Sequence, residues 1–312
     1  MTVKIAAYPK CFEYDIGLHR TMSVFDWIAM AKDGLDVAGL EMYERFFTSF
    51  DRGYLLNVAE AAADAGFVIP MFICSPDFTH PDPDERKRAI EYQAKMIEIA
   101  ALLGGKGAVC RVLSGQQHPG VSRRQGVEWA VEAIQQCIPI AKEHGVILGM
   151  ENHYKDSQWT FPEFALKMEV FLEIVQAIEE RRHFGVQYDP SNAIVAGDDP
   201  IALLEAVKGR LVSMHASDRF LKEGVTWEQL RQSDGQLGYS SYLCHGVIGK
   251  GLNDYDRIFQ ILSEVGYDGW ISIEDGLNGL DEMRASVQFL KNMHEKYLSR
   301  SGSRSSILLR KE

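Results

Sequence analysis

The chain has 312 residues, 46% of them hydrophobic, and carries a formal net charge of −11. This length is sufficient for one large core, and the acidic charge argues against a sequence-independent grip on nucleic-acid phosphates. The chain contains no apolar stretch near the ~18 residues of a membrane span, and its N-terminus lacks the apolar core of a signal peptide. We therefore expect a cytoplasmic protein that binds neither nucleic acid nor membrane.

Strand and helix signals alternate along almost the whole chain. Short apolar runs predict eight strands, at residues 3–9, 39–43, 67–74, 107–115, 146–153, 184–192, 211–218 and 270–276. Helical patterns cover residues 23–33, 54–65, 83–103, 123–144, 200–207, 253–265 and 281–297, and an apolar stripe from Phe164 to Ile178 follows the fifth strand. Pro70 weakens the third strand, because proline donates no ladder hydrogen bond.

Eight βα units in order, with apolar runs that do not strictly alternate, indicate a parallel sheet buried on both faces. We therefore predict an α/β fold in the form of a single (β/α)8 TIM barrel. A doubly wound open sheet is the alternative. The usual glycine fingerprint of dinucleotide-binding sheets is missing after the first strand, which favours the barrel.

Two segments depart from the repeat. A long loop after the seventh strand, residues 220–253, would lie on the catalytic rim of a barrel, where long loops tend to be functional. Residues 299–312 are rich in serine and arginine and lack a core pattern, so we predict a flexible tail or an arm onto a partner subunit. Residues 1–298 would then form the catalytic domain.

Four polar side chains end the last four predicted strands, namely Glu151, Asp189, His215 and Glu274. A parallel barrel gathers its strand ends on one rim, which is where the active sites of such barrels lie. Taken singly, each carboxylate could be an ordinary surface residue, and the histidine could be a core residue with its hydrogen bonds formed. Together, the carboxylates and one neutral imidazole suit an oxygen-preferring divalent cation. The pattern predicts a metal site, with Mn²⁺ favoured and Mg²⁺ or Co²⁺ as alternatives.

Such a site suits chemistry on sugars that carry a carbonyl group. A hard divalent ion can chelate the carbonyl oxygen and the neighbouring hydroxyl, and it stabilises the enediolate that forms when the adjacent C–H proton is removed. Carboxylates at the same site can take that proton and return it. We therefore expect a small-molecule keto sugar as the substrate.

Five motifs resemble the sugar phosphate isomerase/epimerase superfamily, the xylose isomerase-like TIM barrels. They are MENH (150–153), YDPSN (188–192), HASDR (215–219), GKG (249–251) and SIEDG (272–276). The resemblance covers nearly the whole chain before the tail and implies that Glu151, Asp189, His215 and Glu274 are metal ligands. It also implies that Glu151 and Glu274 form the acid–base pair, as in ketose 3-epimerases. Members are often dimers or tetramers, so a homo-oligomer is expected.

The chain departs from the ketose 3-epimerases at two positions. Those enzymes carry a substrate-binding histidine soon after the aspartate, and Asn192 is the closest substitute here. His153 follows Glu151 by two residues, which places both side chains on one face of an extended segment. This arrangement resembles the catalytic subunits of bacterial C-glycoside deglycosidases, which act on 3-oxo-glycosides with a histidine as the proposed base. That resemblance implies a possible small second subunit, and the other interpretation of His153 is a hydrogen-bonding residue behind the ligands.

Other rim residues are candidates for substrate contacts. Arg111 and Arg219 could hold substrate oxygens, although each could instead pair with a carboxylate. Lys250 could sit over the substrate, although its flanking glycines also mark a plain turn. Weaker candidates for the pocket are Glu41, His118, Trp159 and Trp227.

Two functions remain from this sequence. The first is a metal-dependent sugar isomerase or epimerase. The alternative is a lyase or C-glycoside deglycosidase that acts on 3-oxo-glycosides and uses His153 as its base. DNA repair of the endonuclease IV type needs more histidines than the nine present, and a non-catalytic barrel is disfavoured because all four ligand residues are present.

Overall fold

Ten strands lie within the described residues of the computed structural model, which are 4–232, 241–274 and 277–299. They are β1 (Ile5–Ala7), β2 (Gly39–Tyr43), β3 (Val68–Ile73), β4 (Val109–Val112), β5 (Ile147–Glu151), β6 (Phe184–Tyr188), β7 (Leu211–Ala216), β8 (Asp218–Leu221), β9 (Leu243–Gly246) and β10 (Trp270–Ile273). Eight of them close a barrel in the order β1-β10-β7-β6-β5-β4-β3-β2, and every neighbouring pair is parallel. The predicted (β/α)8 barrel is confirmed.

Helices connect the barrel strands and cover the outside of the barrel. They are α1 (Val24–Gly34), α2 (Arg52–Asp64), α3 (Pro83–Gly104), α4 (Arg123–His144), α5 (Met168–Ala177), α6 (Pro190–Ala196), α7 (Pro200–Val207), α8 (Trp227–Gln232), α9 (Tyr255–Glu264) and α10 (Leu280–Tyr297). Helix α6 was not predicted. No helix among the described residues is long and apolar enough to cross a membrane.

Local sequence signals account for several of these boundaries. Ser23 caps α1, since its side chain accepts from the Asp26 backbone N–H at 3.2 Å while Asp26 accepts from the Ser23 N–H at 2.8 Å. Gly145 ends α4 in a left-handed conformation with φ of 69°, which a glycine adopts without strain. These local caps explain why the helix starts and stops could be read from the sequence.

Pro70 lies inside β3, although proline is unfavourable in an interior strand. The pairing of β2 with β3 shifts register between Gly39 and Glu41, so that Glu41 lies opposite Met71. This irregularity falls at the proline, where a regular ladder would require a backbone N–H. The strand therefore persists because its partner changes register around Pro70.

The barrel interior is closed at its N-terminal end by apolar side chains. We call this cluster the apolar plug, and it consists of Ala6, Met71, Val109, Ile147, Val212 and Trp270. Glycines make room for it, since a Cβ at Gly149 would lie 2.7 Å from Val109 and a Cβ at Gly185 would lie 2.3 Å from Val212. Polar side chains occupy the opposite end of the interior, so a site can open only on the rim at the C-terminal ends of the strands.

The segment after β7 contains regular structure that was predicted as a long loop. Strands β8 and β9 pair in antiparallel fashion, with Arg219 opposite His245, and α8 follows β8. Residues 233–240 of this segment lie outside the described residues, as does the predicted tail from residue 300 onward.

Candidate metal centre

The four residues predicted as metal ligands converge on the rim. One ligand atom from each of Glu151, Asp189, His215 and Glu274 lies within 4.8 Å of the other three. Glu151 ends β5, Asp189 follows β6, His215 belongs to β7 and Glu274 follows β10. Adjacent parallel strands ending at one level produce this arrangement. We call these four residues the ligand cluster.

The imidazole of His215 is held in one orientation. Its Nδ1 lies 3.0 Å from Glu151 Oε1 and 3.0 Å from Glu274 Oε2, while its Nε2 lies 2.9 Å from Glu41 Oε1. Burial opposes a charge on this ring, yet the carboxylates of Glu41, Glu151 and Glu274 raise the pKa of His215 well above its ordinary value. A bound metal ion would replace the Nδ1 proton, and Nε2 would still donate to Glu41. Glu41, a weak pocket candidate in the sequence, lies behind His215. The side-chain amide of Gln187 also contacts Nε2.

Backbone and side-chain donors fix Asp189 at the start of α6. Its Oδ1 accepts from the N–H groups of Ser191 at 2.7 Å and Asn192 at 3.0 Å, and from the Ser217 hydroxyl at 2.8 Å. The Asn192 amide donates to Asp189 Oδ2 at 3.0 Å and to Glu151 Oε1 at 3.3 Å. Asn192, predicted to bind substrate, thus joins two carboxylates of the ligand cluster.

Strands β5 and β6 are also linked by a residue that the sequence did not single out. Asn152 of the MENH motif donates to the Asp189 carbonyl at 2.6 Å and accepts from the Asp189 N–H at 2.8 Å. This pair of bonds sets the height of Asp189 relative to Glu151. In the MENH motif, Glu151 therefore belongs to the ligand cluster, while Asn152 positions Asp189.

The electrostatics of the ligand cluster favour a bound cation. Burial, together with the nearby carboxylates of Glu274 and Glu151, raises the pKa of Asp189 to about 7. Burial also opposes ionisation of Glu151, yet His215 and Arg111 hold its pKa at about 2. Like charges converging in a buried site are unfavourable unless a cation compensates them. The donor set and its charge therefore fit a divalent metal ion.

Arg111 is committed to protein partners. Its guanidinium is almost fully buried and donates to Glu151 Oε2 at 2.8 Å, to the Cys74 carbonyl at 3.1 Å and to the Ser75 hydroxyl at 2.8 Å. The ion pair with Glu151 matches the alternative role that the sequence left open for this arginine. A substrate contact by Arg111 stays a prediction.

Lys10 performs a similar role for Glu274 and was missed by sequence reasoning. Its ammonium lies 3.2 Å from Glu274 Oε1 and 3.1 Å from Glu13 Oε2. Burial opposes ionisation of Glu274, yet Lys10 and His215 hold its pKa well below the usual range. No local pattern marks Lys10, because its partner lies at the other end of the chain.

His153 lies two residues after Glu151 and contacts a buried carboxylate that is not part of the ligand cluster. Its side chain is 12% exposed, and its Nδ1 lies 3.4 Å from Glu163 Oε2. The ring packs edge-on against Trp159, with centroids 6.3 Å apart. Glu163 was not a sequence candidate, because it lies in the segment between β5 and α5 with no strand before it.

The remaining candidates occupy different parts of the rim. The GKG segment is a turn held by the Asp218 carboxylate, which accepts from the N–H groups of Gly249 and Gly251 at 2.9 Å. The side chain of Lys250 in this turn is exposed. Arg219 lies in the first strand of this hairpin, and its buried Nε has no hydrogen-bond partner within residues 4–232, 241–274 and 277–299. His118 pairs instead with Asp77 at 2.8 Å. Trp159 is buried, whereas Trp227 is 48% exposed.

Known proteins resemble this chain in sequence and in fold. The rhizopine catabolism protein MocC of Rhizobium meliloti is 26% identical over 205 residues, covering 61% of this chain and 58% of MocC. An inosose dehydratase of Erwinia tasmaniensis is 26% identical over 252 residues, covering 79% of this chain and 73% of that protein. A solved L-ribulose 3-epimerase matches with a TM-score of 0.71 at 15% identity, covering 100% of this chain and 99% of the other, which shows a shared fold.

A family model also matches most of the chain. The model described as xylose isomerase-like TIM barrel matches residues 27–293. This range runs from α1 to α10 and includes every residue of the ligand cluster. The chain therefore belongs to the xylose isomerase-like TIM barrel family.

Proposed function

We propose that this protein is a divalent-metal-dependent enzyme that removes a proton next to the carbonyl group of a keto sugar, with isomerisation or epimerisation as the outcome. The observation that carries the proposal is the convergence of Glu151, Asp189, His215 and Glu274 within 4.8 Å on the rim. These side chains would hold the ion, for which Mn²⁺ is our choice. A bound divalent cation would supply positive charge to the carbonyl oxygen as the neighbouring C–H bond breaks.

The two glutamates of the ligand cluster are placed to move a proton. Both carboxylates lie 3.0 Å from the same atom, His215 Nδ1, and so they share one small region of the rim. One could take the proton from a substrate carbon while the other returns it from the opposite side, which inverts that carbon. The family resemblance assigns the same pair, Glu151 and Glu274.

Substrate binding would involve the hairpin after β7. Arg219 has a guanidinium whose buried Nε finds no partner among the residues that the structure describes, and Lys250 lies exposed in a rim turn. Both are donors suited to hydroxyl or carbonyl oxygens. Asn192 and Arg111 would act mainly on the carboxylates that they already contact.

A second candidate is a lyase that acts on 3-oxo-glycosides. Here removal of the proton next to the carbonyl would be followed by loss of a leaving group from the next carbon. The observation that favours it is the contact of His153 with buried Glu163 beside the ligand cluster, which offers a base outside that cluster. An inosose dehydratase among the relatives also bears a name that denotes elimination.

Proton NMR in D₂O distinguishes the two candidates. The Mn²⁺-loaded full chain would be incubated in parallel with a pool of ketoses and with one 3-oxo-glycoside. Deuterium entering a ketose, with a new epimer or aldose, supports the isomerase. Release of the aglycone with the ketoses unchanged assigns the protein to the lyases, and absence of both reactions refutes the proposed function.

A further inference from the structure

We propose that Glu163 is the positioning residue that makes His153 a base of this site. This inference rests on the second candidate function, in which His153, not Glu151 or Glu274, takes the proton. Glu163 is 0% exposed, and its Oε2 lies 3.4 Å from Nδ1 of His153. The histidine therefore has a carboxylate behind one ring nitrogen, while its other nitrogen is available for chemistry.

A backbone clasp fixes Glu163 in place. Its N–H donates to the Tyr154 carbonyl at 2.8 Å, and the next residue, Phe164, donates to the Gly115 carbonyl at 2.7 Å. Glu163 also forms an isolated antiparallel bridge with Gln116. These contacts join the segment that follows β5 to the segment that follows β4. They hold the backbone of Glu163, and with it the carboxylate, in a fixed position.

The carboxylate of Glu163 is oriented as well as buried. Its Oε1 accepts from the Ser114 N–H at 2.8 Å and from the Ser114 hydroxyl. Oε2 is left to face His153. Two donors on one oxygen turn the other oxygen toward the imidazole, which is the geometry of a residue that orients a histidine.

This orientation selects the tautomer of His153. A carboxylate accepts only, so the proton of the neutral ring lies on Nδ1 and the lone pair lies on Nε2. No hydrogen bond to Nε2 is found among the described residues. In the ligand cluster, by contrast, Glu151 is paired with Arg111 and Glu274 with Lys10. Within the described residues, His153 is therefore a base beside the ligand cluster that is paired with no cationic side chain and retains an unengaged lone pair.

The proposed step conserves atoms and charge. Nε2 of His153 forms a bond to the proton as the C–H bond next to the substrate carbonyl breaks, and the electron pair of that bond moves toward the carbonyl oxygen. That electron pair then forms a C=C bond as the C–O bond to the departing group breaks, and the departing oxygen takes the proton from Nε2, which gives elimination and restores the neutral imidazole. The Glu163 carboxylate would accept from Nδ1–H and stabilise the transient imidazolium.

The test compares wild type with Glu163→Gln, using the Mn²⁺-loaded full chain with the same ketose pool and 3-oxo-glycoside. Glutamine keeps the shape of the side chain, but its NH₂ group can donate to Nδ1, which moves the ring proton to Nε2. We expect kcat to fall about 10²- to 10⁴-fold, with KM and Mn²⁺ content unchanged. Glu173→Gln on α5, where the side chain is 45% exposed, is the matched control and should behave as wild type.

Nitrogen-15 NMR of histidine-labelled protein gives a second readout that does not depend on turnover. The His153 signals, assigned by comparison with His153→Ala, should show the Nδ1–H tautomer in wild type and the Nε2–H tautomer in Glu163→Gln. An unchanged tautomer, or turnover near that of wild type, overturns the proposal. If wild type turns over none of the probes, the proposed function fails, and the tautomer still decides whether Glu163 orients His153.

Two further variants keep the proposal testable if Glu163→Gln does not fold. Ser114→Ala removes the hydroxyl that turns Glu163 and should lower kcat in the same direction by a smaller factor. His153→Ala should keep the metal and lose turnover, and adding Ser114→Ala to it should cause no further loss. Additive losses in the double variant would show that Ser114 acts by another route and would overturn the inference.

Discussion

The two ends of the barrel interior contain opposite kinds of side chain, although the same strands supply both. In β4, Val109 belongs to the apolar plug, while Arg111 two residues later pairs with a carboxylate. In β5, Ile147 also belongs to the apolar plug, while Glu151 four residues later ends the strand and belongs to the ligand cluster. Position along a strand thus decides whether an inward side chain adds to the core or to the site.

This contrast separates stability from chemistry. Burial of apolar surface stabilises the N-terminal end without any partner geometry. The C-terminal end holds buried charges, which are unfavourable unless paired, and it relies on Arg111, Lys10 and Asn192 to hold the carboxylates. The following substitutions test whether the two ends can be disturbed independently.

Loss of a ligand should have the largest effect. Glu151→Gln or Asp189→Asn removes a negative oxygen from the ligand cluster, so bound Mn²⁺ and turnover should be lost together. Metal content after dialysis and the NMR assay in D₂O measure the two effects, and circular dichroism checks the fold. Retention of metal by both variants would refute the assignment of the ligands.

Removal of the residue behind His215 should weaken the site without abolishing it. Glu41→Ala deletes the acceptor at 2.9 Å from Nε2, and we expect the Kd for Mn²⁺ to rise about 10- to 100-fold. Calorimetric titration measures this change. Ser272→Ala is the matched control, because the Ser272 hydroxyl is buried in β10 and no described residue forms a hydrogen bond with it. An equal loss of affinity in both variants would rule out the orienting role of Glu41.

A cavity in the apolar plug should affect stability alone. Val109→Ala removes buried methyl groups next to Gly149, and the free energy of unfolding should fall by about 2 kcal/mol. Denaturant unfolding of the metal-free protein measures this change, and titration should show an unaltered Kd for Mn²⁺. A parallel loss of Mn²⁺ affinity would mean that the two ends of the interior are coupled.

The smallest effect is expected outside the barrel. Ser23→Ala removes the cap of α1, which should lower the free energy of unfolding by about 1 kcal/mol. Denaturant unfolding again measures the change, with turnover and Mn²⁺ affinity as wild type. A change in either property would show that α1 influences the site.

The sequence by itself determined the eight barrel strands, most of the helices, and the end of the barrel at which the candidate site lies. Apolar runs and helical periodicity are local signals, so the predicted bounds of β2, α4 and α7 agree with the structure. The ligand cluster followed from the same signals, because a polar residue that ends a strand of a parallel barrel must lie on the rim. Pro70, which weakened the third strand, shows where the local rule failed, since a register shift between neighbouring strands depends on both of them.

Only the tertiary structure decided which partner each rim residue has. Whether Arg111 and Asn192 meet substrate or carboxylate depends on side-chain direction at strand ends, and composition does not encode that direction. Lys10 and Glu163 contact the site from distant or irregular segments, and their roles arise from packing between loops. Long-range contacts of this kind have no periodic signature, because they are fixed only when the barrel closes.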